Sequence, residues 1–217
     1  MKLIVIYVIP NIISLITVII LYKKLQPRWL QLFLYFFLLT FLESVGGYTY
    51  AYFMKQSNHF IENIYLVISF SFYFFLFYKT LETKKYKIIV MAFLTVFLLC
   101  AFLDLFFING FYFFNTYSSS VGSILIILSC LIYFSHLFTS DRLLNYFRTP
   151  MFWISTGLLF FFTGSLVQNS LIRYFISNKI DPGGRIYYFI MVTLNILLHT
   201  AFIISFLCNQ IWKKARY

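Results

Sequence analysis

The side chains with chemistry to offer are polar groups set inside apolar runs. They are Glu43, Asp104, Gln168, Asn169, Asn195 and His199, with Arg173 at the rim of its run. In hydrocarbon an ionisable or amide group is costly unless it finds a partner, so each is a candidate for ligand or ion binding or for proton transfer. Asn195 and His199 are four residues apart and share one helix face. Glu43, Gly47 and Ala51 do the same, and the two small residues would let a second helix approach closely. Glu43 with His199 has the acid and base types of a proton relay. The competing assignment for the whole set is hydrogen bonding between helices. His136, near the end of its run, is within reach of the membrane interface.

Other chemistries are not indicated. No second histidine or cysteine lies at ligand spacing from His199, so a metal site is not expected. Cys100, Cys130 and Cys208 sit inside apolar runs without CxxC spacing, which points to neither a disulfide framework nor zinc. The chain has no HExxH, GxSxG, Walker loop or paired-carboxylate motif, and no lysine in the middle of the seventh apolar run for a retinal Schiff base. No catalytic residue and no cofactor are therefore assigned.

The elements that must position these residues follow from composition. Of 217 residues, 62% are hydrophobic and 11% charged, against about 45–50% and about 25% in a soluble domain. A membrane-crossing helix needs about 20 apolar residues. Apolar stretches at 3–22, 29–53, 60–79, 86–108, 118–140, 150–173 and 186–210 predict an all-α membrane protein, a single polytopic domain of about seven transmembrane helices. Pro27 and Pro150 fit the first turns of the second and sixth helices, and Asp181-Pro182-Gly183-Gly184 reads as a turn before the seventh. Pro10 is expected to kink the first helix. That first run is followed by Lys23-Lys24 without a small-residue cleavage site, so it reads as a retained helix rather than a signal peptide.

The net charge of +11 is spread in short groups between apolar runs. This excludes the clustered basic face of a nucleic-acid binder and points to anionic lipid headgroups as the partner. Short cytoplasmic loops collect Lys and Arg. Twelve of the 17 basic residues (Lys23, Lys24, Arg28, Lys79, Lys84, Lys85, Lys87, Arg142, Arg148, Lys213, Lys214 and Arg216) fall on one side. This predicts the N-terminus outside and the C-terminus cytoplasmic. The uncharged Phe111–Tyr117 run is expected to lie in the outer interface. In this frame Glu43, Asn195 and His199 share a depth near the midplane, where a contact of Glu43 with His199 or Asn195 is geometrically possible. Asp104, Gln168, Asn169 and Arg173 lie nearer the outer surface, a pattern that predicts an outward-opening pocket.

Three stretches carry a resemblance: Asn63 to Phe70 continuing through Phe77-Tyr78, Phe152-Trp153 to Gly164, and Asn195-Ile-Leu-Leu-His199 through Cys208. Together they resemble small bacterial seven-helix integral membrane proteins of unknown function and the seven-helix sensor regions that precede some bacterial histidine kinases. The resemblance implies a signal-input role in the bacterial inner membrane. The sequence ends at Tyr217 without a kinase, so signalling is expected to run through a separate partner protein. Two alternatives remain: an assembly factor for another membrane complex, or a small transporter. The transporter is suggested by similar spacing from Pro27-Trp29 to Ile64-Tyr65 and from Pro150-Trp153 to Ile186-Tyr187, which would make helices one to three and five to seven parallel repeats around helix four.

Overall fold

The computed structural model describes residues 2–139, 143–178 and 184–214. It contains seven long helices: α1 (Lys2–Leu21), α2 (Leu32–Met54), α3 (His59–Thr80), α4 (Lys84–Leu103), α5 (Thr116–Phe138), α6 (Pro150–Ser177) and α7 (Arg185–Lys214), and no strand occurs among the described residues. Six helical segments are long and apolar enough to cross a membrane: Arg28–Met54, His59–Thr80, Lys84–Ile108, Thr116–Phe138, Pro150–Leu171 and Arg185–Cys208. The chain is thus built as a polytopic helical membrane protein. Its surface agrees, because large apolar side chains such as Leu42, Leu99, Phe107, Phe160 and Phe189 point outward, a pattern suited to lipid and adverse in water.

Local sequence explains the helix ends. Pro27 precedes a 3-10 turn, Arg28–Gln31, that leads into α2, and Pro150 is the first residue of α6, where its missing amide hydrogen breaks no helical bond. Lys55 adopts a left-handed conformation (φ 52°) that stops α2. The fourth span was expected as one helix over 86–108. Its last residues, Asp104–Ile108, instead wind as a π turn, with the Asn109 amide donating to the Asp104 carbonyl at 2.8 Å. The turn Asp181-Pro182-Gly183 lies outside the described residues.

Each helix packs on the next, and α1 closes the ring against α7; α3 also touches α5. The end of the bundle where α1 begins is called the N-face and the other the C-face. Gln31 Nε2 donates to the Tyr22 carbonyl at 3.2 Å, which fixes the α1–α2 hairpin at the C-face. The helix α6 runs antiparallel to α7, and glycines let the two approach closely. A Cβ on Gly157 would lie 2.6 Å from the Ala201 Cβ, and one on Gly164 would lie 2.6 Å from Leu194 Cδ2.

Phenylalanine fills the centre. Phe33 of α2 meets Phe202 and Phe206 of α7 at 5.2 and 5.3 Å between ring centroids, and Phe162 of α6 meets Phe70 and Tyr73 of α3 at 5.0 and 5.8 Å. Lipid tails are as apolar as these rings, so dispersion and ring geometry, rather than escape from water, hold the helices together. The neighbour pattern survives exchange of the first three helices for the last three. The α1–α2 contact corresponds to α5–α6, α2–α3 to α6–α7, and α1–α7 to α5–α3. The ring contacts of α2 with α7 likewise mirror those of α6 with α3. Only α4 stands outside this exchange.

Candidate functional site

A buried polar contact between the first and last helices lies in the seam between α1 and α7. Ser14 Oγ and His199 Nδ1 hydrogen-bond at 2.8 Å, the hydroxyl donating when the neutral ring carries its proton on Nε2. Both side chains are buried. The imidazole is wedged against Phe37 at 5.6 Å and Phe202 at 5.9 Å, so the aromatic core fixes its plane. Both α1 and α7 run from N-face to C-face. Three residues before Ser14 and four before His199, Asn11 and Asn195 therefore sit about one turn nearer the N-face, on the same two helix faces. Asn11 is 3% exposed and Asn195 8%. Both amide atoms of Asn11 and the Oδ1 of Asn195 have no hydrogen-bond partner. Asn11 and Ser14 were not among the sequence candidates, although two polar residues three apart in an apolar run carry the same face signal as Asn195 and His199.

Glu43 does not join this seam. Shared depth made a contact with His199 or Asn195 geometrically possible, but the azimuth of α2 directs it elsewhere. Phe37 packs on α7 and Phe33 lies between α7 and α3, whereas Phe36, Thr40 and Gly47 point to α3. Phe36 stacks on Phe72 at 4.4 Å, Thr40 Oγ1 and Tyr65 OH lie 2.9 Å apart, and Gly47 abuts Asn58. Glu43 falls between the last two contacts and accepts a 3.2 Å bond from Ser44 Oγ. In this antiparallel register it is level with Glu62 of α3, which is paired to His59 Nδ1 at 2.8 Å.

Asp104 is a clamp. It is 0% exposed; its Oδ1 accepts from Asn109 Nδ2 at 2.6 Å and its Oδ2 from the Ser118 amide at 2.8 Å. The second bond satisfies a free amide in the first turn of α5, the work of a helix cap done from a neighbouring helix. Asn63 of α3 completes the clamp: its Nδ2 donates to the Phe113 carbonyl and its Oδ1 accepts from the Asn115 amide, both at 2.9 Å. The aromatic loop 109–115 is thereby strapped over the N-face.

Gln168 is buried in the α6–α7 seam, with Nε2 donating to the Tyr187 carbonyl at 2.6 Å and Oε1 unpartnered. Asn169 beside it is half-buried. The side chain of Arg173 lies outside the described residues. His136 packs edge-on to Tyr86 at 5.7 Å near the C-face. The sequence candidates thus divide among separate seams and do not converge on the one outward pocket expected. A separate cavity of about 500 Å³ opens at the N-face, lined by Tyr50, Gln56, Ser57, Phe60, Phe111 and Tyr112. Among the described residues, no three of His, Cys, Asp and Glu gather as metal ligands.

No family model, curated protein or solved structure matches this chain. Buried amides with unused hydrogen-bonding atoms in a helix–helix seam are able to bind a polar group, and the rings of Phe37 and Phe202 pack on the imidazole one turn further along.

Proposed function

We propose that the protein is an integral membrane sensor of a bacterial inner membrane, with the N-face outside, that signals through a separate protein at its C-face. The observation that carries this reading is the α1–α7 seam, in which buried polar side chains lie beside the buried rings of Phe33, Phe37, Phe202 and Phe206. A buried polar site between two helices suits a receptor, in which occupancy alters how the two pack. The basic connection Lys79–Lys87 sits at the end where that change would be read. To test this, a photoreactive amino acid in place of Lys85 would report the partner in native membranes. The reading requires one defined crosslinked protein whose yield changes in His199→Ala. A crosslink indifferent to His199, or solute uptake by reconstituted vesicles, would overturn it.

A second reading, a small transporter of three-plus-one-plus-three layout, is favoured by one observation, the neighbour pattern shared by α1–α3 and α5–α7. Solute flux that depends on residues of both the α1–α7 and α3–α5 seams would support it over the sensor.

A further inference from the structure

We propose that the α1–α7 seam binds a neutral group offering two hydrogen-bond donors and one acceptor, the chemistry of a primary carboxamide, of urea or of a water molecule. This rests on the sensor reading and names what its site accepts. Asn11 lies roughly 14 Å along α1 from its start, near the middle of the span, and both its Oδ1 and its Nδ2 are buried without partners. Asn195 Oδ1, one turn from His199 on the facing helix, is buried and unpartnered as well. The vacant set is thus two acceptors and one donor. Within hydrocarbon each such atom costs several kcal/mol if left unmade. Its complement is a group that donates one N–H or O–H to Asn11 Oδ1 and another to Asn195 Oδ1, and accepts from Asn11 Nδ2.

Charge excludes the obvious competitors. A carboxylate has no donor for either carbonyl oxygen, and an ammonium has no acceptor for Nδ2. The polar side chains identified in the seam, Asn11, Ser14, Asn195 and His199, include no carboxylate to balance a cation, and the His199 Nδ1 is already engaged by Ser14. The Ser14–His199 bond lies about one turn nearer the C-face, and the rings of Phe37 and Phe202 pack on its imidazole.

The test is a titration of the full chain in lipid nanodiscs, labelled with ¹⁵N at asparagine side chains, with Asn11→Leu and Asn195→Ser assigning the two resonances. Acetamide supplies both donors and the acceptor, N,N-dimethylacetamide only the acceptor, and acetate neither donor. Saturable shifts of both resonances with acetamide but not with the other two support the site, and Asn195→Ser then weakens acetamide binding about tenfold, the worth of one hydrogen bond. If acetamide has no effect while water protons cross-relax with both side chains, the occupant is water. Equal shifts with all three probes, or a direct Asn11–Asn195 hydrogen bond with neither acetamide nor water at the side chains, would overturn the proposal. If Asn11→Leu does not fold, the wild-type titration with Asn195→Ser still decides. The sensor reading fails separately, by a partner crosslink that ignores the seam, whatever occupies it.

Discussion

Replacing Asp104 should unfasten the N-face clamp in two graded steps. The carboxyl group receives two donors, Asn109 Nδ2 at 2.6 Å and the Ser118 amide at 2.8 Å, and is fully buried. In Asp104→Ala both donors lose their partner. A buried donor left unsatisfied costs about 1–3 kcal/mol, so the loss is about 2–6 kcal/mol. In Asp104→Asn the shape is kept but one oxygen becomes an NH2 group. That amide serves one donor and confronts the other, for a loss of about 1–3 kcal/mol. Asn109→Ala removes one of the two bonds from the opposite end, and a double-mutant cycle with Asp104→Ala isolates their coupling. The assay is reversible unfolding from mild detergent by titration with a denaturing one, followed by circular dichroism. Asp104→Asn as stable as the native protein, or Asp104→Ala no worse than Asn109→Ala, would show that Asp104 does not cap α5, and the account of the clamp would be wrong.

The other expectations use the same unfolding assay except where noted. His199→Ala strands Ser14 and opens a gap against Phe37 and Phe202, so it should cost about 2–4 kcal/mol, whereas Phe160→Leu on the lipid-facing surface should change stability by less than about 0.5 kcal/mol. Equal effects would mean that the α1–α7 bond contributes nothing. Gly157→Val brings a Cβ to 2.6 Å from Ala201 Cβ and should cost about 1–3 kcal/mol or more by forcing α6 from α7; disulfide trapping between cysteines on the two helices would register the separation. Joint replacement of Lys84, Lys85 and Lys87 by Glu removes three cations, each contributing about 1 kcal/mol near anionic lipid, and should misorient the chain or impair insertion in loop-reporter fusions. Correct insertion with loss of a specific crosslinked partner would instead assign these residues to docking.

The all-helical architecture was legible because apolar runs near twenty residues long leave few other readings: the described residues form seven long helices, six of them in segments apolar and long enough to cross a membrane. What sequence periodicity left open was azimuth and neighbour order. Depth placed Glu43 level with Asn195, yet depth does not say which helix a side chain faces. The alternation of Phe36 and Phe37 shows the difficulty, since adjacent rings point to α3 and α7 respectively. Ser14 escaped notice because a hydroxyl in an apolar helix commonly returns its bond to its own backbone, and its pairing with His199 depends on α1 meeting the last helix. Asp104 was visible as an anomaly, but its role as a cap depended on Ser118 beyond a loop whose path no periodicity describes.

The Ser14–His199 bond joins residues 185 positions apart. At a synthesis rate of about 5–20 residues per second, roughly 10–40 s pass between the emergence of its two halves. Throughout that interval Ser14 of α1 lacks the helix to which it bonds in the finished fold. Closure of the ring by α1 against α7 is therefore a late event in the folding of the chain.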